Sequence, residues 1–167
     1  MTSLRTNSSY QKQIYDFIKD MVVICPSCHA KAIIKIPESD SVHKNEFEVK
    51  LICLTCGHNK RLAEKPGLIL HTSANQIITG KYVVIGTAVD PYFHLPLWLT
   101  TTCCDHILWA YNDAHLDFLK THVEAKLRER HNQNMKNKSL GSRLPKWMTS
   151  KKNRETILKA ITQLKNK

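Results

Sequence analysis

Four of the six cysteines fall in two pairs, Cys25-Pro-Ser-Cys28 and Cys53-Leu-Thr-Cys56, with 24 residues between the pairs. A two-residue gap makes a tight knuckle that aims both sulfurs at one ion, and two knuckles supply four thiolates for a closed tetrahedral site. Such a site has no coordination position left for water or substrate, so its expected role is structural. Zinc is the expected ion, one per chain, held by Cys25, Cys28, Cys53 and Cys56. An iron–sulfur cluster also accepts four thiolates and stays an alternative. Disulfides are disfavoured in a reducing compartment, and a thioredoxin-like pair would need a βαβ setting that the chain lacks. Gly57 directly follows the second knuckle, where a left-handed backbone is often required. His29, His43 and His58 lie near the knuckles and are expected to be exposed or to support the ligands rather than to bind.

The remaining cysteines, Cys103 and Cys104, are adjacent in "TTTCCDH" and lack knuckle spacing. Strand alternation would send them to opposite faces, with at least one acting as a small buried hydrophobe.

The elements that must carry the knuckles are β-prone. "VVICPSCHAKAIIKI" and "EFEVKLICLTCGHNKRL" each hold one pair, and the second alternates Phe47, Val49 and Leu51 against Glu46, Glu48 and Lys50. Residues 22–62 therefore have the layout of a zinc ribbon. This segment resembles the ribbons of transcription-factor-B type and of transcript elongation factor S, its long spacer being closer to the latter. In that family an adjacent Asp-Glu pair at the hairpin tip is catalytic. Here Glu38, Asp40 and Glu46 are separated, so the cleavage activity does not carry over. A longer stretch, "LPLWLTTTCCDHILWAYNDAHLDFLKTHVEAKLRER" followed by "RLPKWMTSKKNRETILKAI", resembles bacterial proteins of uncharacterised function, which implies an architecture and no activity.

The rest of the chain divides by pattern. Residues 8–20 read as a helix capped by Ser8 or Ser9, with Tyr10, Ile14, Phe17 and Ile18 on one core-facing side. Residues 63–111 read as short strands, of which "KYVVIG" and "HILWAY" are clearest. Pro91 and Pro96 bar "DPYFHLPLWL" from being a plain central strand, and its Tyr92, Phe93 and Trp98 are expected to be buried. Residues 112–131 read as a helix capped by Asn112 or Asp113, with Leu116, Leu119, Val123 and Leu127 as its apolar stripe. A loop containing Gly141 leads to a last helix from about Lys151 to Leu164, with Ile157, Ala160, Ile161 and Leu164 inward. The expected class is α+β: an N-terminal helix (1–21), the ribbon (22–62), a small antiparallel β region plus helix (63–131), a basic linker (132–150) and a basic C-terminal helix (151–167).

Charge is the second signal. The net +11 lies wholly in Leu119–Lys167, which has fourteen Lys/Arg against three acids, whereas Met1–Phe118 has eleven of each. Clustered cations suit a polyanion. Lys126, Arg128, Arg130, Lys136, Lys138, Arg143, Lys146, Lys151, Lys152 and Arg154 are the candidate phosphate contacts, with Trp147 as a base-stacking residue or, more simply, an anchor for the tail. Cations at a helix end also have a structural explanation, which applies to Arg128 and Arg130.

No Gly-rich phosphate loop, HExxH or G-x-S-x-G occurs. The pairs His106 with Asp105 and His115 with Asp117 come without a nucleophile and are expected to be surface or satisfied core groups. His115 and His122, seven apart, share a helical face, where surface decoration is the simpler expectation.

Apolar residues at 42% support a packed core. No N-terminal apolar run has signal-peptide length, and pieces such as "YVVIG" fall far short of the ~20 residues of a membrane helix. The expectation is a cytoplasmic, non-catalytic protein that binds nucleic acid, or else an adaptor that docks on a larger complex such as transcription machinery. One measurement tests the reading of the six cysteines: elemental analysis should find one zinc per chain, and two would assign metal to Cys103 and Cys104.

Overall fold

The computed structural model of the protein describes residues 12–37, 48–62, 68–73, 76–80, 84–125 and 139–167. Strands β1 (Met21–Ile24) and β2 (Lys31–Lys35) form one antiparallel hairpin, and β3 (Lys50–Ile52) and β4 (Asn59–Arg61) form a second. Antiparallel pairing of β2 with β3 joins them into one sheet of order β1-β2-β3-β4. Two separate hairpins follow: β5 (Leu68–Ser73) with β6 (Gln76–Gly80), and β7 (Leu99–Cys103) with β8 (His106–Ala110). Helices α1 (Asp113–Glu124), α2 (Leu140–Arg143), α3 (Lys146–Thr149) and α4 (Arg154–Lys165) complete the described elements. Antiparallel sheets followed by helices match the expected mixed class. No helix among the described residues is long and apolar enough to cross a membrane.

Alternation decides what the four-stranded sheet buries. Met21 and Val23 on β1, Ala32 and Ile34 on β2, and Leu51 on β3 all point to one side and are fully buried. They form the first core with Phe17, Ile18, Val49, Tyr92, Leu97, Tyr111 and Leu140. Side chains at alternate positions face the other way, and Val22 enters a second core made by β7, β8 and the helices. There Leu99, Leu108, Leu116, Leu119, Val123, Ile157, Ile161 and Leu164 pack together. Each such side chain contributes roughly 1.5–3 kcal/mol by leaving water. The stripes expected on α1 and α4 are therefore the faces that are buried; Leu127 lies outside the described residues.

The segment 84–98 docks on the free edge of β1 rather than forming a strand of its own. Ile24 N–H donates to the Pro96 carbonyl at 2.9 Å, and Trp98 N–H to the Val22 carbonyl at 3.0 Å. Asp90, fully buried, shapes this segment by accepting from the N–H groups of Tyr92, Phe93 and Leu95 at 2.8, 2.7 and 2.6 Å. Tyr92 is buried as expected, while Phe93 and Trp98 are half-buried. Of the strand expected at "KYVVIG", residues 81–83 lie outside the described set, and Val84–Gly86 are not strand.

Over the described part of the helix expected at residues 8–20, residues 12–20, there is no α-helix, only a single 3₁₀ turn, Ile14–Phe17. Of the three carbonyls that distant donors take here, a helix ending at residue 20 would use only that of Lys12, because its last four carbonyls have no partner inside it. Asn112 Nδ2 donates to the carbonyls of Phe17 and Lys19 at 3.0 and 2.7 Å, and Leu140 N–H donates to the Lys12 carbonyl at 2.8 Å. Asp20 then turns the chain into β1 with φ 50°. Phe17 and Ile18 are still buried, so their core role survives the loss of the helix. Tyr10 and the candidate caps Ser8 and Ser9 lie outside the described residues.

Asn112 serves twice, since its Oδ1 also caps α1 by accepting from His115 N–H at 2.9 Å. Asn112→Ala should destabilise the protein by about 2–3 kcal/mol, about 1 from the cap and the rest from the two bridging bonds. Asn112→Ser, which keeps a cap acceptor, should recover about 1 kcal/mol of that loss in denaturant titrations.

Candidate metal centre

Each knuckle sits in the turn of one hairpin of the four-stranded sheet, and the two turns are built alike. In the first, Cys25 N–H donates to the Ala30 carbonyl and His29 N–H to the Cys25 carbonyl, at 2.8 and 3.0 Å. In the second, Cys53 N–H donates to the His58 carbonyl and Gly57 N–H to the Cys53 carbonyl, also at 2.8 and 3.0 Å. The residue after each second cysteine is left-handed, His29 at φ 59° and Gly57 at φ 73°. A Cβ on Gly57 would meet nothing within 4 Å, so glycine is favoured there by backbone conformation and not by space.

The β2–β3 pairing brings these two turns to the same end of the sheet. All four ligand sulfurs then lie within 4.8 Å of one another. Cys25 Sγ is 3.7 Å from Cys56 Sγ, and Cys28 Sγ is 3.6 Å from Cys53 Sγ. Sulfurs bound at ~2.3 Å around a tetrahedral ion stand about 3.8 Å apart, so the spacing fits one ion. Cys25 and Cys53 are buried, Cys28 is half-buried and Cys56 is exposed. The four cysteines are thus positioned to bind a single metal ion, with the site closed from the sheet side.

Backbone donors that the sequence does not advertise favour the thiolates. Ser27 N–H lies 3.4 Å from Cys25 Sγ. The Cys56 N–H, with help from Thr55 and the neighbouring sulfurs, pulls the Cys53 thiol down to about 6 against the effect of burial. Cys28 behaves oppositely: the Ala30 N–H lowers its pKa, but sharing a proton with Cys56 and the other sulfurs, together with desolvation, carries it to about 12. His58 and His29 stay out of the four-sulfur group, as expected; His43 lies outside the described residues.

Cys103 and Cys104 do not point to opposite faces, contrary to the alternation argument. Cys103 ends β7, and Cys104 and Asp105 form the two-residue turn to β8 with φ 54° and 61°. The left-handed turn swings the Cys104 side chain back, and the two sulfurs lie 3.7 Å apart. Cys103 is buried in the second core, and burial, aided by Cys104, pushes its thiol up to about 11. Among the described residues no third His, Cys, Asp or Glu joins them to make a metal-binding group.

The histidines of α1 are core groups and not surface decoration, because the helix turns them toward its neighbours. His115 and His122 are 2% and 1% exposed. His115 Nδ1 accepts from Tyr111 N–H at 3.3 Å and its ring stacks on Phe17, and burial lowers its pKa to about 4. His106 and Asp105 are exposed, with the His106 ring stacked on Trp147.

The candidate phosphate contacts separate into groups. Lys126, Arg128, Arg130, Lys136 and Lys138 lie outside the described residues. Arg143, Lys146, Lys151 and Lys152 are exposed, and none has an acidic partner among the described residues. Arg154 is half-buried and donates to the Ala125 carbonyl at the end of α1, at 3.4 Å. Trp147 is half-buried against the second core, and its carbonyl accepts from Asn153 Nδ2 at 3.0 Å.

No family model, curated protein or solved structure matches the chain. The geometry of the four thiols makes a prediction by itself. Binding requires Cys28 to lose a proton that it keeps at neutral pH, whereas Cys53 has largely lost its own. Metal affinity should therefore rise with pH, at least tenfold between pH 7 and pH 8. Cys28→Ser should weaken binding by more than about 100-fold, beyond the 10–100-fold effect of losing a supporting contact, as read by competition with a chelating dye.

Proposed function

We propose that this is a zinc-stabilised protein that binds nucleic acid without catalysing a reaction. The observation that carries this reading is the confinement of the whole +11 to the last third of the chain. The described cations there divide by use. Lys165 pairs with Asp117, Lys120 pairs with Glu124, and Lys167 lies over the Trp98 ring. Arg143, Lys146, Lys151 and Lys152, along the short turns before α4, have no such employment among the described residues and face solvent. Cations held this way are available to phosphates. Zinc is the ion that four thiolates at ribbon spacing suit best, and it would hold the two hairpins without chemistry of its own.

A second reading, an adaptor docking on a larger complex, draws support from Leu54, which is 85% exposed at the tip of the second knuckle. An apolar side chain presented on a rigid turn suits a partner pocket. A partner retained after nuclease treatment and lost in Leu54→Ser would favour that reading.

The test of the first is fluorescence anisotropy of the zinc-loaded chain with labelled single-stranded RNA, single-stranded DNA and duplex DNA across a salt series. Binding should weaken steeply with salt. Lys146→Gln/Lys151→Gln/Lys152→Gln should make the log–log salt dependence shallower by roughly 2–3 on duplex DNA, at about 0.9 per lost phosphate contact. Absence of binding to all three ligands at low salt refutes the proposal.

A further inference from the structure

The balanced charge of the first 118 residues hides a second set of cations that only the sheet register assembles. Lys35 on β2 lies directly opposite Lys50 on β3, and Lys50 lies opposite Arg61 on β4. Three cations thus form one row across three adjacent strands, whose spacing is about 4.8 Å. Alternate residues share a face, so Lys31 stands on this same side, nearer the knuckles. The other side, with Met21, Ala32, Ile34 and Leu51, is buried in the first core. The row therefore projects away from that core, on the side where Val22 and Ile33 pack against the second core, and occupies the end of this face that stays open. Lys31, Lys35 and Arg61 are exposed and Lys50 is half-buried.

Like charges placed directly opposite each other destabilise a sheet. No ion pair among the described residues offsets this cost: Lys120–Glu124 and Lys165–Asp117 lie elsewhere, and Glu48, two residues before Lys50, bridges to none of the four cations. Blunting of an exposed edge would account for Arg61, since β4 is an edge strand. It does not account for Lys35 and Lys50, which lie on the two inner strands. Repulsion kept on a rigid, metal-pinned sheet is relieved when a polyanion lies across it.

We infer that the open end of this face is a second phosphate-binding surface, with Lys35, Lys50 and Arg61 tracking a nucleic acid backbone. The inference rests on the nucleic-acid reading above and adds the ribbon to the interface. The occupant is a nucleic acid backbone rather than an acidic protein. A protein contact of useful strength needs a dry aromatic or aliphatic anchor amid the charges. Of the apolar side chains on this face, Val22 and Ile33 already pack against the second core, which leaves the half-buried Ile24 and Ile52 and no protruding anchor, and no aromatic residue lies on its described strands. Without an aromatic platform the face cannot stack bases, so it reads backbone charge alone and is indifferent to sequence.

The test compares the zinc-loaded full chain with Lys35→Gln/Lys50→Gln/Arg61→Gln, using a labelled duplex of random sequence across a salt series. The variant should bind at least tenfold more weakly at 100 mM salt, with a log–log salt dependence shallower by roughly 2–3. Lys35→Arg/Lys50→Arg, which keeps the charge, should bind like the parent. Without ligand and at low salt, the Gln variant should hold one metal per chain and melt at the same temperature as the parent or higher, because repulsion has been removed. If the parent binds but the Gln variant binds with equal affinity and salt dependence, this inference fails and the reading of the C-terminal third stands. If the parent binds no nucleic acid, both fail. If the unliganded Gln variant melts lower, the cations have partners within the chain, and the inference fails on that ground.

Discussion

Strand β1 is the constraint on which the rest of the structure depends. It is four residues long, yet both its faces and both its edges are used. Met21 and Val23 enter the first core, and Val22 enters the second. One edge pairs with β2 in full register, and the other receives Pro96, Trp98 and the N–H···O bond from Val22 to Tyr111 at 2.8 Å. A short strand cannot be stable on its own account. Here it is held by everything around it, and it hands the chain directly to Cys25. The position of the first knuckle is therefore set by two cores at once.

The metal centre completes this arrangement from the other end of the sheet. β3 and β4 have three residues each, too few to pair securely, and β4 is exposed along its whole length. An ion bound by the four cysteines would join the β3–β4 turn to the β1–β2 turn, so that hairpins that could slip or separate would be tied at one end. Tyr111 and Asp90 tie the segment 84–98 in a similar spirit with hydrogen bonds: Gly86 N–H donates to Tyr111 Oη at 2.8 Å, and Asp90 gathers three backbone donors. These buried polar contacts add little net energy when made but are costly to lose, since each orphaned donor carries its desolvation penalty.

Much of this was legible locally. Asn112 as a cap, the stripes Leu116–Leu119–Val123 and Ile157–Ala160–Ile161–Leu164, and the left-handed Gly57 all follow from short-range rules of turn and helix. The N-terminal helix was not legible, because its periodicity was real but Leu140, far along the chain, takes the Lys12 carbonyl, and Asn112 fixes the end of the segment through the Phe17 and Lys19 carbonyls. The burial of His115 and His122 was missed for a related reason. Spacing places two side chains on one helical face but does not say what packs against that face. Cys104 turned back toward Cys103 because a two-residue hairpin turn, and not continued strand alternation, follows β7.

What the sequence by itself determined is the set of four ligands, the helical stripes and the total charge, since each depends on residue type and near spacing. The tertiary structure alone decided which turns meet, which cations pair with other described residues, and that Lys35, Lys50 and Arg61 stand in one row. Register is a relation between segments far apart in the chain. Its cost and its use arise only when the strands lie side by side, where a spacing of about 4.8 Å turns three unremarkable cations into one charged surface.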